Sequence, residues 1–264
     1  MPLAIGTLLA GALWTIRSSS STPSVSTDQP AALAVVRSLR VNVQREIPHD
    51  TDAFTQGLVF EDGVLFESTG LRGESDLRRV DPATGDVQAI VTIDEPYFAE
   101  GLALVDDRLI LITLDEEEAF VFDPSTLERV GTFEYEGSGW GLCYDGERLV
   151  MTDGGDRLTF RDPETFAPLG GVQVRLRGQP LRELNELECV DGAVYANVWG
   201  EEYLVRVDPE TGRVTHQIDA SGLLAPDERS GTDVLNGIAW NPRTETFYVT
   251  GKWWPTMFEV TFDE

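Results

Sequence analysis

The 264-residue chain is almost without lysine: of its 20 basic residues 19 are arginine, and Lys252 stands alone in "VTGKWWPTMFEV". Histidine is nearly as scarce, with only His49 and His216, and no HExxH or Cys/His cluster occurs, so the ligands of an ordinary zinc site are missing. There is no GxSxG elbow for a serine hydrolase and no glycine-rich phosphate loop. Positive charge is deficient overall, 20 Lys+Arg against 46 Asp+Glu for a net −26. That argues against nucleic acid and anionic membrane as partners, since both need a cationic face. So acidic a surface also fits a high-salt habitat, where salt screens carboxylate repulsion. The two cysteines, Cys143 and Cys189, are too few for a disulfide scaffold. They read as buried free thiols, with one bridge as the alternative outside the cytoplasm.

Long apolar runs are absent but for "PLAIGTLLAGALWTI", 15 residues, shorter than the roughly 20 that span a bilayer. The polar "RSSSSTPSVSTDQP" follows it. Residues 1–38 therefore read as a signal-like leader and linker of an exported protein, periplasmic or secreted, with an uncleaved N-terminal anchor as the alternative. The remainder carries enough apolar and aromatic residues, 41% and 9% of the chain, to bury a sizeable core.

What the chain has in plenty is repetition. "TQGLVF" at Gln56, "AEGLAL" at Glu100, "GWGLCY" at Trp140, "LNELEC" at Asn185 and "LNGIAW" at Asn236 recur at spacings of 44, 40, 45 and 51. A period of 40 to 50 belongs to propeller blades or helix-pair repeats. Each unit holds short β-rich segments cut by turn signals and no long amphipathic stretch, so four strands per unit and an all-β, five-bladed propeller over residues 39–264 are predicted. "DPATG", "DPSTL", "DPETF" and "DPETG" are turns between third and fourth strands. The fifth unit lacks its outer strand, and "LRVNVQREI" at residues 39–47 is expected to supply it by pairing with the C-terminal strand.

First strands of propeller blades line the central channel, so Gln56, Glu100, Trp140, Asn185 and Asn236 should ring one mouth. A second tier at the ends of the second strands holds Ser68, Leu114, Asp153, Trp199 and Lys252. One carboxylate, one ammonium, several amides and aromatic walls can recognise an amide-bearing substrate and move one proton. The blander readings place Gln56 and Asn236 on channel waters or backbone, His49 as a structural cap, His216 on a solvent-facing outer strand, and Trp240, Trp253 and Trp254 in packing.

"AFTQGLVF", "YFAEGLAL", "GSGWGLCYDG", "LNELECVDGAVYANVW", "DVLNGIAW" and "VTGKWWPTMFEV", in this order over residues 39–264, resemble the glutamine cyclotransferases of the plant and bacterial type. The resemblance implies a five-bladed propeller that converts the N-terminal glutamine of peptides or proteins to pyroglutamate with release of ammonia, without catalytic zinc or another cofactor. It also implies that Glu100 carries the proton, Asn185 holds the substrate amide and Lys252 supplies a conserved ammonium. Phe54, Gln56, Phe98, Trp140 and Trp199 match pocket-lining positions. Leu114 departs from the family's usual Trp, which removes one aromatic wall, and the acidic run Asp115–Glu118 that follows reads as a solvated loop or as an attractor of cationic N-termini. The protein is expected to act as a monomer. The rival class is a lectin-like or sensor propeller that holds a zwitterionic ligand without turning it over; a calcium-dependent lactonase-type propeller would need more carboxylates at the mouth than Glu100 and Asp153.

Overall fold

The computed structural model describes residues 1–2 and 35–264, so the expected leader lies almost wholly outside the described residues. Among the described residues the chain is all β, without a helix. Strand β1 (Arg37–Pro48) precedes three four-stranded antiparallel sheets. The first is β2 (Thr55–Glu61), β3 (Val64–Thr69), β4 (Asp76–Val80) and β5 (Val87–Thr92). The second is β6 (Ala99–Val105), β7 (Arg108–Thr113), β8 (Glu118–Phe122) and β9 (Arg129–Glu134), and the third β10 (Leu142–Tyr144), β11 (Leu149–Met151), β12 (Arg157–Arg161) and β13 (Pro168–Gln173). After the small hairpin β14 (Arg175–Leu176) and β15 (Gln179–Pro180) come β16 (Leu184–Val190), β17 (Ala193–Val198), β18 (Tyr203–Asp208) and β19 (Arg213–Asp219). The last strands are β20 (Leu235–Asn241), β21 (Thr246–Gly251) and β22 (Thr256–Asp263).

The N-terminal strand β1 runs antiparallel to the C-terminal β22, with Val41 opposite Phe262 and Ile47 opposite Met257, as the missing outer strand requires. It also pairs in parallel with β19, Arg37 opposite His216, which merges the last two groups of strands into one larger sheet. His216 is consequently half-buried rather than solvent-facing. The DPxT segments turn third strands into fourth, and the Asp81, Asp123, Asp162 and Asp208 carboxylates each accept a backbone N–H two residues on.

The first strands β2, β6, β10, β16 and β20 are the most interior, each lying against the next, with β20 back against β2. Apolar clusters fill the spaces between successive sheets: Leu102, Leu109 and Phe120 pack on Phe66 and Leu77, while Leu58 and Leu65 pack on Ala239 and Met257. The outer strands β5 and β9 alternate exposed and half-buried residues, as strands with one wet face must. Cys143 on β10 and Cys189 on β16 are joined by a disulfide, Cα–Cα 5.6 Å. This corrects the free-thiol reading: adjacent first strands bring the two side chains to bonding distance although 46 residues separate them in sequence.

Candidate active site

Four of the five recurring motifs contain a break in their strand ladder. Pairing skips Gln56 in β2, Glu100 in β6, Asn185 in β16 and Asn236 in β20. Such bulges release a side chain from the sheet's alternation and re-aim it. The glycine that follows is required by close approach: a Cβ on Gly57 would lie 2.6 Å from Leu102 N, and one on Gly101 2.5 Å from Leu142 N. The fourth repeat has Glu186 there instead, and its buried carboxylate accepts the Leu58 N–H at 3.2 Å and the Ile238 N–H at 2.8 Å, capping donors that neighbouring first strands leave unpaired.

Three of the released side chains meet. Gln56 donates from Nε2 to Glu100 Oε1 at 3.2 Å, and Asn236 donates from Nδ2 to Gln56 Oε1 at 3.3 Å and to the Thr55 carbonyl at 3.0 Å. The orientation of the Gln56 amide is thereby fixed, oxygen toward Asn236 and nitrogen toward the acid. Ser68 holds the Glu100 backbone by donating to its carbonyl at 2.6 Å. Glu100 is 4% exposed and its second oxygen, Oε2, has no partner. Asn185 is likewise buried, with Oδ1 unpartnered.

Lys252 is 5% exposed, in the turn after β21, with Nζ 4.6 Å from the centroid of Phe54. Phe54 in turn meets Phe98 edge-on at 6.2 Å, and Phe98 shares with Gln56 the space that a Cβ on Gly70 would fill. Acid and ammonium thus belong to one cluster. They form no direct ion pair within 4.0 Å among the described residues, though each acts on the other's charge. Burial pushes the Glu100 carboxyl well above the usual carboxylate range; Lys252 opposes this, and Asp115 and Glu116 add to it. Burial likewise lowers Lys252, against the pull of Glu100 and Asp233.

Trp140 is half-buried, its ring seated on Gly154, and its carbonyl accepts the Gly101 N–H at 2.9 Å beside Glu100. Trp199 is 48% exposed, at the start of the turn after β17, and its ring makes no aromatic pair with the other site residues among those described. Leu114, half-buried, hydrogen-bonds through its backbone to the Phe98 carbonyl and to Gly139, and so stands between Phe98 and Trp140. The acidic run beyond it is not wholly solvated: Glu116 is ion-paired to Arg72 at 2.6 Å and accepts the Phe98 N–H at 3.4 Å.

Trp253, read from sequence as packing, does pack, and its partner is Phe54 of the candidate site. It lies 4.7 Å from Phe54, ring to ring, and adopts a φ of 60°. A left-handed tryptophan has no signal in the sequence. Behind the site, His49 is buried between two elements, its Nδ1 2.7 Å from the Trp254 carbonyl and its Nε2 3.0 Å from Glu67 Oε1, which also accepts the Thr55 hydroxyl at 2.7 Å. Among the described residues no group of three His, Cys, Asp or Glu side chains is placed to hold a metal ion.

The family model described as Glutamine cyclotransferase matches residues 12–262. A glutaminyl-peptide cyclotransferase of Arabidopsis thaliana is 41% identical over 226 residues, 83% of this chain and 70% of that protein. The crystal structure of Myxococcus xanthus glutaminyl cyclase aligns with a TM-score of 0.79 at 42% identity, covering 87% of this chain and 99% of the other. The chain belongs to the glutamine cyclotransferase family.

Proposed function

We propose that this chain is a zinc-independent glutaminyl-peptide cyclotransferase that converts the N-terminal glutamine of peptides or proteins to pyroglutamate. The observation that carries the reading is the buried Glu100 carboxyl, one oxygen held by Gln56 and the other free, in one cluster with the buried Lys252. The substrate's α-amine attacks its own γ-carboxamide carbon, so the reacting groups are already joined and the site has only to select the cyclising rotamer. Glu100 accepts a proton from the attacking amine as the N–C bond forms, and returns it to the departing nitrogen as the amide C–N bond breaks and ammonia leaves. Lys252 stabilises the oxyanion, for which a compact ammonium suits better than a planar guanidinium, and Asn185 holds the carboxamide. Phe54, Phe98, Trp140 and Trp199 wall the pocket, and Gln56 positions Glu100.

The supporting framework is a five-bladed propeller over residues 37–264: β16–β19 and β20–β22 with β1 supply two further four-stranded units beside the three separate sheets. The β1–β22 pairing closes the ring within one chain, in keeping with a monomer. The residues ahead of β1 are a leader or anchor that directs export, and the Cys143–Cys189 bridge is consistent with an oxidising compartment.

Incubation with a peptide bearing N-terminal glutamine, followed by mass spectrometry with and without a chelator, tests this. The expected result is complete loss of ammonia from the peptide in both arms. Binding of the peptide without ammonia loss would assign the chain to the ligand-binding propellers, and loss only without chelator would refute zinc independence.

A further inference from the structure

His49 takes no part in the chemistry proposed above, yet it is one of two histidines in the chain and is buried at the junction of two site-bearing elements. On one side lies the turn that carries Lys252. The His49 N–H donates to the Pro255 carbonyl at 2.9 Å, its Nδ1 to the Trp254 carbonyl at 2.7 Å, and the Trp253 N–H returns a bond to the Ala53 carbonyl at 2.7 Å. Residues 49–54 are thus stapled along residues 253–255, and Phe54 at the end of that staple is the ring over which the Lys252 ammonium sits, 4.6 Å away. On the other side Nε2 donates to Glu67 Oε1 at 3.0 Å, the same oxygen that accepts the Thr55 hydroxyl. Thr55 precedes Gln56, whose amide holds Glu100, and the Thr55 carbonyl anchors the Asn236 side chain that orients Gln56.

We infer that His49, as a doubly protonated imidazolium clamped between the Trp254 carbonyl and the Glu67 carboxylate, is a positioning residue for both Lys252 and Glu100. The inference rests on the cyclotransferase reading for its catalytic consequence, but the clamp itself stands on geometry. Both partners of the ring are acceptors, a carbonyl and a carboxylate, and only the imidazolium offers an N–H to each at once. The Thr250 hydroxyl, 3.3 Å from Nδ1, can donate to its own second neighbour, the Thr256 carbonyl at 3.3 Å, and so leaves that N–H to Trp254. Burial alone would favour a neutral ring, but the attraction and hydrogen bond of Glu67 outweigh it, so His49 is held above and Glu67 below its ordinary value. Arg78, gripped by Asp76 and Asp50, is the nearby cation; it opposes the charge on His49 and favours that on Glu67. One side chain therefore fixes the strand that carries Gln56, the partner of Glu100, and the ammonium-bearing turn relative to each other, and misplacement of reacting groups by about 1 Å costs on the order of 100-fold in rate.

The two arms are separable by isosteres. The Asn amide nitrogen in His49→Asn takes the place of Nδ1 and keeps the Trp254 arm, whereas His49→Gln takes the place of Nε2 and keeps the Glu67 arm. Each variant is expected to lose kcat about 10- to 100-fold on an N-terminal glutamine peptide with KM changed less than about 3-fold. Thr55→Val should show the same kcat loss and Thr55→Ser should recover most of it, a rescue that does not require the histidine variants to fold. Independently of activity, 15N NMR of histidine-labelled protein, assigned with His216→Gln, should show both His49 ring nitrogens protonated at pH 8. A neutral His49 at that pH overturns the clamp. Folded His49 and Thr55→Val variants with kcat within 2-fold of the parent overturn its catalytic role, and a parent chain that releases no ammonia overturns the activity on which that role rests while leaving the NMR result to judge the clamp.

Discussion

Replacing Glu100 by glutamine removes the titratable proton and little else. The carbonyl oxygen of the introduced amide can still accept the Gln56 N–H, and the volume is unchanged, so the site should keep its shape. Of the acids that act on Glu100 or Lys252, Asp115 and Glu116 are ion-paired to Arg72 and Asp233 accepts the Val234 N–H at 2.7 Å. The whole acid/base contribution is therefore lost, ~10² to 10⁴ in kcat, or about 3 to 5 kcal/mol of barrier. Stability should move the other way. Burial raises the folded-state pKa of Glu100 above the ordinary 4.5, so the folded protein binds the proton more tightly than the unfolded one. The stability contributed by the neutral acid is full below that ordinary value and is lost as pH rises through the folded value. Glu100→Gln escapes that loss, so it should melt at a higher temperature than the parent at neutral and alkaline pH, the gap closing toward pH 4. Ammonia release measured by a coupled assay, with thermal unfolding at pH 4, 6 and 8, checks both halves. A variant that retains more than a tenth of parental kcat, or whose melting temperature falls below the parent's at pH 8, would refute the reasoning.

Lys252→Arg preserves the charge but replaces a point donor by a larger fork in a buried space over Phe54; kcat/KM should fall ~10²-fold, as for loss of an oxyanion donor, with the fold intact by circular dichroism. The pH profile of kcat should be a narrow bell: activity rises as Glu100 deprotonates above the usual carboxylate range and falls as Lys252 deprotonates below the usual lysine range, both limbs read from initial rates between pH 4 and 11. Removing the disulfide with Cys143→Ser and Cys189→Ser frees a 46-residue loop in the unfolded chain and should cost up to about 4 kcal/mol in denaturant melts.

Much of this was legible in the amino-acid sequence because a repeat converts linear spacing into geometry. Four of the five look-alike motifs, at a period near 45, place Gln56, Glu100, Asn185 and Asn236 at equivalent ladder breaks of the first strands. The same logic placed β1 beside β22, since a closed ring cannot leave an edge. What resisted reading depends on tertiary contact alone. The disulfide joins positions whose proximity follows only from the packing of β10 on β16. Trp253 faces Phe54 because its backbone is left-handed, which no local pattern announces. Glu186 occupies the place of a repeated glycine and is recognisable only once two neighbouring strands are seen to point their N–H groups at it. His49 reads as an isolated cap until Trp254 and Glu67, distant in sequence, appear on either side of its ring.

In the proposed chemistry the substrate's own α-amine displaces its side-chain nitrogen within this cluster. The most direct test compares ammonia release from a glutaminyl peptide with that from the same peptide acetylated at its α-nitrogen. Ammonia equimolar with pyroglutamyl peptide is expected from the first and none from the second. Equal release from both would show a simple amidase, and release from neither would show that Glu100 and Lys252 bind without reacting.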